Sequence, residues 1–121
     1  MWKRTTFDSA IAPGAKDWDF NIQQFSITDA RKQAVDFSSP YYTTSEAVVA
    51  VKGTPAAEAK SINDLKKLKF GVQAGTTSQN YVMNKLKPSV DPLVFNGSAD
   101  VVQALKGGQV DAIVVDLPTA F

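Results

Sequence analysis

The sequence predicts an α/β fold: a mostly parallel sheet flanked by helices. Three observations point there. Lys69 to Gln73 and Val110 to Val115 are short apolar runs of strand composition. The stretches Thr77 to Leu86 and Ser98 to Leu105 carry helical spacing, and Gly107-Gly108 stops the second. Strands that alternate with helices imply βαβ units, whose strands run parallel.

The elements follow in order. Phe7 to Ala15 reads as a weak helix, interrupted by Pro13 and Gly14. Trp18-Asp19-Phe20-Asn21-Ile22-Gln23 alternates large apolar with polar residues, so it reads as a half-buried strand. Thr28 is placed to cap a short helix through Arg31 to Ala34. Tyr41 to Val51, rich in Tyr, Thr and Val, reads as one long extended segment ending at Gly53-Thr54-Pro55. Ala56 to Ser61 is a linker of mainly small residues. Ser61 and Asp64 have the spacing of a cap and its third helical residue. Lys69 to Gln73 is a strand, Thr77 to Leu86 a helix, and Asp91 to Phe95 a strand after the Pro88 break. Ser98 is expected to cap the next helix, and Pro118 suits the first turn of a last one.

Composition excludes several function classes. The 121 residues are 44% hydrophobic, which suits one globular unit. Thirteen Lys and Arg nearly cancel twelve Asp and Glu, and no basic block stands out, which argues against sequence-independent nucleic-acid binding. No apolar run approaches the roughly 20 residues of a membrane span, and no signal peptide is read in the chain. Cysteine and histidine are both absent. Disulfides, thiol catalysis, thiolate zinc sites and histidine-based triads are therefore excluded, and no cofactor or metal motif is read.

Three places carry recognition chemistry. Arg31 is either a solvated helix arginine or a fork for a carboxylate, since a guanidinium donates two parallel hydrogen bonds. Gly75-Thr76-Thr77 links a strand to a helix start. It is either a plain cap or, with its first N–H groups, an anion site. It is not a phosphate-binding loop, because the glycine spacing and terminal lysine are missing. Asp116 closes an apolar strand, as a helix cap or as the counter-ion of an α-ammonium. Phe7 and Trp18 are core or aromatic wall, and Gln24 and Gln73 are surface or side-chain readers.

Taken in order, several segments resemble one family. They are Phe7-Asp8-Ser9-Ala10-Ile11, Gln24-Phe25-Ser26-Ile27-Thr28-Asp29-Ala30-Arg31 and Val35-Asp36-Phe37-Ser38-Ser39-Pro40-Tyr41-Tyr42. Gly71-Val72-Gln73-Ala74-Gly75-Thr76-Thr77 and Asp111-Ala112-Ile113-Val114-Val115-Asp116 complete the set. The chain resembles the polar amino-acid-binding proteins of ABC importers, periplasmic solute-binding proteins of family 3 with the type II periplasmic-binding fold. The resemblance implies two α/β lobes, flavodoxin-like in their layering, with a ligand between them. It implies that Arg31 holds the ligand α-carboxylate, helped by Ser26 and by Thr77 beside Thr76. It further implies that Asp116 holds the α-ammonium with the backbone at Gln24, that Phe7 is an aromatic wall and that Gln73 reads the ligand side chain.

Two departures from the family pattern stand out. Ile11 to Trp18 is shorter and more broken than the family's helix, and the chain as a whole is short for two lobes. The expectation is an incomplete two-lobe fold: a remnant of lobe one over 1–42, then most of lobe two over 43–121 without its return strand. The parent would capture a free amino acid, in the periplasm or outside the cell, and hand it to a membrane ABC permease. Some relatives of this fold are dehydratases, but without histidine only a shifted carboxylate or lysine would serve as acid or base, so binding is preferred to catalysis. A folding fragment without binding of its own is the other alternative. The isolated chain is expected to form a dimer or higher oligomer, with segments exchanged through Tyr41 to Val51. A monomer whose Trp18-to-Phe25 strand joins the main sheet is the rival arrangement.

Overall fold

A computed structural model describes residues 1–121. The chain divides into two compact units, Met1–Thr43 and Thr44–Phe121. It is α/β, and helices flank its one sheet.

Unit 1 holds two short helices, α1 (Phe7–Ile11) and α2 (Asp29–Lys32). Thr6 begins α1 by accepting from the Ser9 N–H at 3.2 Å. The helix ends at Ile11 rather than reaching Ala15, because Pro13 and then Gly14, at φ 112°, turn the chain away. Thr28 begins α2, accepting from the Arg31 N–H at 3.2 Å. The expected strand Trp18–Gln23 does not form. Its polar groups close on one another instead: Asn21 Oδ1 accepts from the Gln23 N–H at 2.9 Å, and Gln23 Nε2 donates to the Thr5 carbonyl at 3.2 Å. A local side-chain loop competes with a ladder wherever no partner strand is supplied. Phe20 and Ile22 consequently stay exposed.

Unit 2 holds the sheet. Its strands are β1 (Glu46–Ala50), β2 (Phe70–Gln73), β3 (Leu93–Phe95) and β4 (Ala112–Asp116), in the spatial order β1-β4-β2-β3. The sheet has these four strands, and Trp18 to Phe25 forms no strand of it. β2 runs parallel to both β3 and β4, while β1 pairs antiparallel with β4. Between them come a 3-10 turn (Pro55–Glu58), α3 (Ile62–Leu65), α4 (Thr77–Tyr81), α5 (Ser98–Lys106) and α6 (Leu117–Ala120). α4 runs on into a π-helical turn over Val82–Leu86, ended by Lys87 at φ 51° before Pro88. Only Glu46–Ala50 of the long Tyr41-to-Val51 segment is ladder-paired. At α5 the capping position belongs to Gly97, not to Ser98, which is already the first helical residue.

Each face of the sheet has its own core. Phe70, Val72, Ala112 and Val114 pack with Val82 and Leu86 of the α4 side. Ile113 packs with Val101, Ala104, Leu105 and Val110 of the α5 side. The period-two alternation of β4 sends its residues to the two faces in turn. Gly71 is glycine for a reason of space: a Cβ there would lie 3.2 Å from Val110 Cγ2 and 3.4 Å from Phe95 Cε2. Burying each Val, Leu, Ile or Phe side chain of these cores stabilises by about 1.5–3 kcal/mol.

α3 shows the predicted capping box. Ser61 accepts from the Asp64 N–H at 3.2 Å and donates its hydroxyl to Asp64 Oδ2 at 2.8 Å. That hydroxyl, followed by the Lys60 N–H, holds the Asp64 carboxyl below its ordinary range. A carboxyl lowered in the folded state adds stability that is complete above its unfolded pKa, about 4, and fades as pH falls through the folded value. Ser61→Ala is expected to cost about 1 kcal/mol at pH 7 in chemical denaturation. It should also raise the Asp64 titration midpoint, followed by NMR, towards an ordinary carboxyl. An unchanged midpoint would show that the Ser61 hydroxyl does not set it.

Candidate functional site

In unit 1 the sequence Phe25-Ser26-Ile27-Thr28 leads directly into α2 and fixes where Arg31 points. Arg31 Nη1 donates to the Ser26 carbonyl at 2.9 Å. Its guanidinium carbon lies 5.2 Å from the centre of the Phe25 ring and 5.6 Å from that of Phe7. The two rings stack with centroids 3.9 Å apart. A planar cation against aromatic faces is electrostatically favourable, and the stem packs as the head is held. Arg31 is therefore a positioned, half-buried guanidinium rather than a waving surface arginine. Gln24, just before this run, sits at φ 54°, a left-handed conformation uncommon outside glycine. Among the expected residues of this unit, Phe7, Ser26 and Arg31 come together. Ser26 takes part through its carbonyl. Phe25, which composition did not single out, completes the group; its signal was its place immediately before Ser26.

In unit 2 the glycine turn between β2 and α4 works as a hydroxyl cluster. Gly75 takes φ 72°, which closes the turn without a Cβ penalty. Thr76 caps α4: its hydroxyl donates to the Gln73 carbonyl at 2.7 Å and accepts from the Gln79 N–H at 3.1 Å. The Gln79 side chain in turn accepts from the Gly75 N–H at 2.9 Å. Thr77 donates its hydroxyl to Glu46 Oε1 at 2.7 Å, and Ser78 donates to Glu46 Oε2. Ser78 is the only polar side chain of the molecule in the buried class. Its hydroxyl therefore needs a partner, and Glu46 supplies it.

Glu46 was not foreseen. The available signal was that it is the only charged residue between Tyr41 and Val51. Its register partner on β4 is Asp116. Opposed residues of an antiparallel pair share a face, and Ala50 and Ala112 show that this face is the α4 side. Asp116 occupies the capping position of α6, yet its side chain makes no capping hydrogen bond. The sheet ladder runs on past it through Leu117 N–H to the Ser45 carbonyl at 2.8 Å. Gln73, Thr76, Thr77 and Asp116 thus all lie at the carboxyl ends of β2 and β4, where open α/β sheets bind ligands. No group of three or more carboxylates gathers to hold a metal ion.

Comparison with known proteins places this arrangement. The model of the bacterial extracellular solute-binding proteins, family 3, matches residues 1–91. A probable histidine-binding protein of Campylobacter jejuni is 36% identical over 123 residues, covering 99% of this chain and 46% of that protein. The L-arginine-binding protein of Pseudomonas aeruginosa is 33% identical, covering 95% of this chain and 44% of that protein. Among solved structures, an ancestral arginine-binding protein bound to glutamine is 42% identical with a TM-score of 0.71, over 79% of this chain and 41% of its own. An ancestral amino acid-binding protein, a precursor of cyclohexadienyl dehydratase, is 38% identical with a TM-score of 0.70, over 79% of this chain and 43% of its own. The chain spans less than half the length of these relatives. On the matched model, the relatives and the shared α/β architecture, it belongs to the bacterial extracellular solute-binding proteins, family 3.

Proposed function

We propose that this chain carries the recognition groups with which a solute-binding protein, working outside the cytoplasm, captures a free amino acid for a membrane ABC importer. The observation that carries the reading is Arg31, a half-buried guanidinium held in place by the Ser26 carbonyl and two aromatic rings. In this reading Arg31 takes the ligand carboxylate, and Thr77, at the helix start that Thr76 caps, is a further group for a carboxylate. Asp116 takes the ammonium, assisted by the backbone at Gln24. Phe7 forms an apolar wall and Gln73 meets the side chain. The role is binding, not turnover: the relatives compared are named as binding proteins. No helix is long and apolar enough to cross a membrane, which fits a partner that docks on a separate permease. The same proposal includes self-association, since Phe20 and Ile22 are left exposed and a second copy of the chain would cover them.

Three measurements test these assignments. Arg31→Lys keeps the charge but loses the planar fork, so calorimetry should show amino-acid binding weakened by about 1.5–3 kcal/mol. Equal affinity for both proteins would remove Arg31 from the site. Asp116→Asn should weaken amino acids more than their deaminated analogues, because only the former bring an ammonium that needs a counter-ion. Equal weakening of both classes would reduce Asp116 to a fold residue. Sedimentation velocity at low micromolar concentration should show species heavier than the 13.0 kDa chain. A single species of that mass would contradict the self-association.

A further inference from the structure

Thr76, Thr77 and Ser78 stand in a row at the start of α4, and each hydroxyl has a single proton to donate. All of these protons are committed within the chain. Thr76 donates to the Gln73 carbonyl at 2.7 Å, which holds the turn out of β2. Thr77 donates to Glu46 Oε1 at 2.7 Å, and Ser78 donates to Glu46 Oε2. A carboxylate only accepts, so Glu46 leaves Thr77 Oγ1 with lone pairs toward any further partner. A ligand carboxylate is an acceptor of the same kind, and it meets no hydroxyl proton here unless one is released. The protons differ in what their release would cost. Ser78 is buried, and its hydroxyl would be left without an acceptor. Thr76 would give up the bond that closes the turn. Thr77 is only half-buried, and Glu46 keeps its other oxygen on Ser78 when Thr77 turns away.

We propose that Glu46 is a positioning residue that competes with the ligand carboxylate for the hydroxyl proton of Thr77. The inference rests on the reading of Thr77 as a group for that carboxylate and adds the contact that binding must first undo. The exchange swaps one acceptor for another: the hydrogen bond from Thr77 to Glu46 breaks, the one to the ligand forms, and the proton stays on Thr77. Glu46 remains anchored meanwhile by Ser78 and by its place in the β1–β4 ladder. A hydroxyl held by a carboxylate makes a charge-assisted bond, stronger than a neutral one, so the competition lowers affinity. A side chain at position 46 that spares the Thr77 proton would raise it. Glutamine has that property. The buried Ser78 claims its one amide oxygen, and its amide nitrogen then faces Thr77 and donates to Oγ1. The Thr77 proton is turned away from position 46 and becomes available to a ligand.

Arginine and glutamine are the probes, because they share the α-carboxylate and differ in side-chain charge. Each is titrated calorimetrically into the parent chain, Glu46→Gln, Thr77→Val and the double variant, with each fold checked by cooperative thermal unfolding. Glu46→Gln should bind both probes roughly two- to tenfold more tightly than the parent, the net worth of one hydrogen bond. In the Thr77→Val background the same change should alter neither affinity, since no hydroxyl proton is left to release. Tightening that persists without the Thr77 hydroxyl, or that appears for one probe only, is an effect of charge and overturns the competition. Unchanged or weaker binding by Glu46→Gln overturns it too, and each of these results leaves the amino-acid reading standing. A second measurement needs no variant. In the parent, the side-chain carboxyl carbon of Glu46, followed by NMR, should shift as arginine saturates the chain, because Glu46 loses a hydrogen bond. A carbon signal that stays in place while arginine binds overturns the proposal. A parent and a folded Glu46→Gln that bind neither probe overturn both readings.

Discussion

The antiparallel pairing of β1 with β4 is the constraint on which the rest of unit 2 depends. Its register sets Val48 opposite Val114 and Ala50 opposite Ala112, which closes the α4-side core. The same register sets Glu46 opposite Asp116. A slip of one residue would turn Glu46 to the other face and part it from Thr77 and Ser78. The buried Ser78 hydroxyl would then lose its acceptor, a cost of about 1–3 kcal/mol. Core packing and the polar cluster therefore specify one register together.

Unit 1 works on a different physical basis. It has no strand, and its order comes from side chains that satisfy nearby backbone groups. Thr6 and Thr28 start its helices, Asn21 and Gln23 close a loop, and Arg31 reaches back to Ser26. Hydrogen bonds of this kind are worth about 0.5–1.5 kcal/mol each, so they fix local geometry more than they build stability. Stacked Phe7 and Phe25 supply a local apolar contact. What unit 1 contributes is thus one well-held guanidinium rather than a second sheet.

The parts legible in the sequence were those whose pattern is local and whose burial is complete. Phe70 to Gln73 and Ala112 to Asp116 are apolar runs covered on both faces, and they became central strands. Ser61 with Asp64 and Thr28 with Arg31 showed their caps through spacing alone. Trp18 to Gln23 misled because alternation predicts a strand only where a partner strand exists. Ser98 misled because a glycine in extended geometry took the cap before it. Among the candidate site residues, Thr76, Thr77 and Asp116 were marked by residue type and by position after strands, and Arg31 by residue type, since the strand expected before it does not form. Glu46 was hidden because its partners lie 31 and 32 residues away, and only the sheet register brings them together.

Each unit carries its own polar chemistry: unit 1 a guanidinium held by a carbonyl and two aromatic rings, unit 2 a strand-end carboxylate and a hydroxyl-rich helix start. The proposed ligand, a free amino acid, carries both a carboxylate and an ammonium. The most direct measurement is an NMR titration of the labelled chain with arginine, following backbone amides and arginine side-chain signals. The account predicts saturable shifts confined to Thr77, Ser78, Asp116 and Leu117 in unit 2 and to the Arg31 guanidinium in unit 1. Shifts absent from these positions, or confined to the exposed Trp2-to-Gln23 segment, would contradict it.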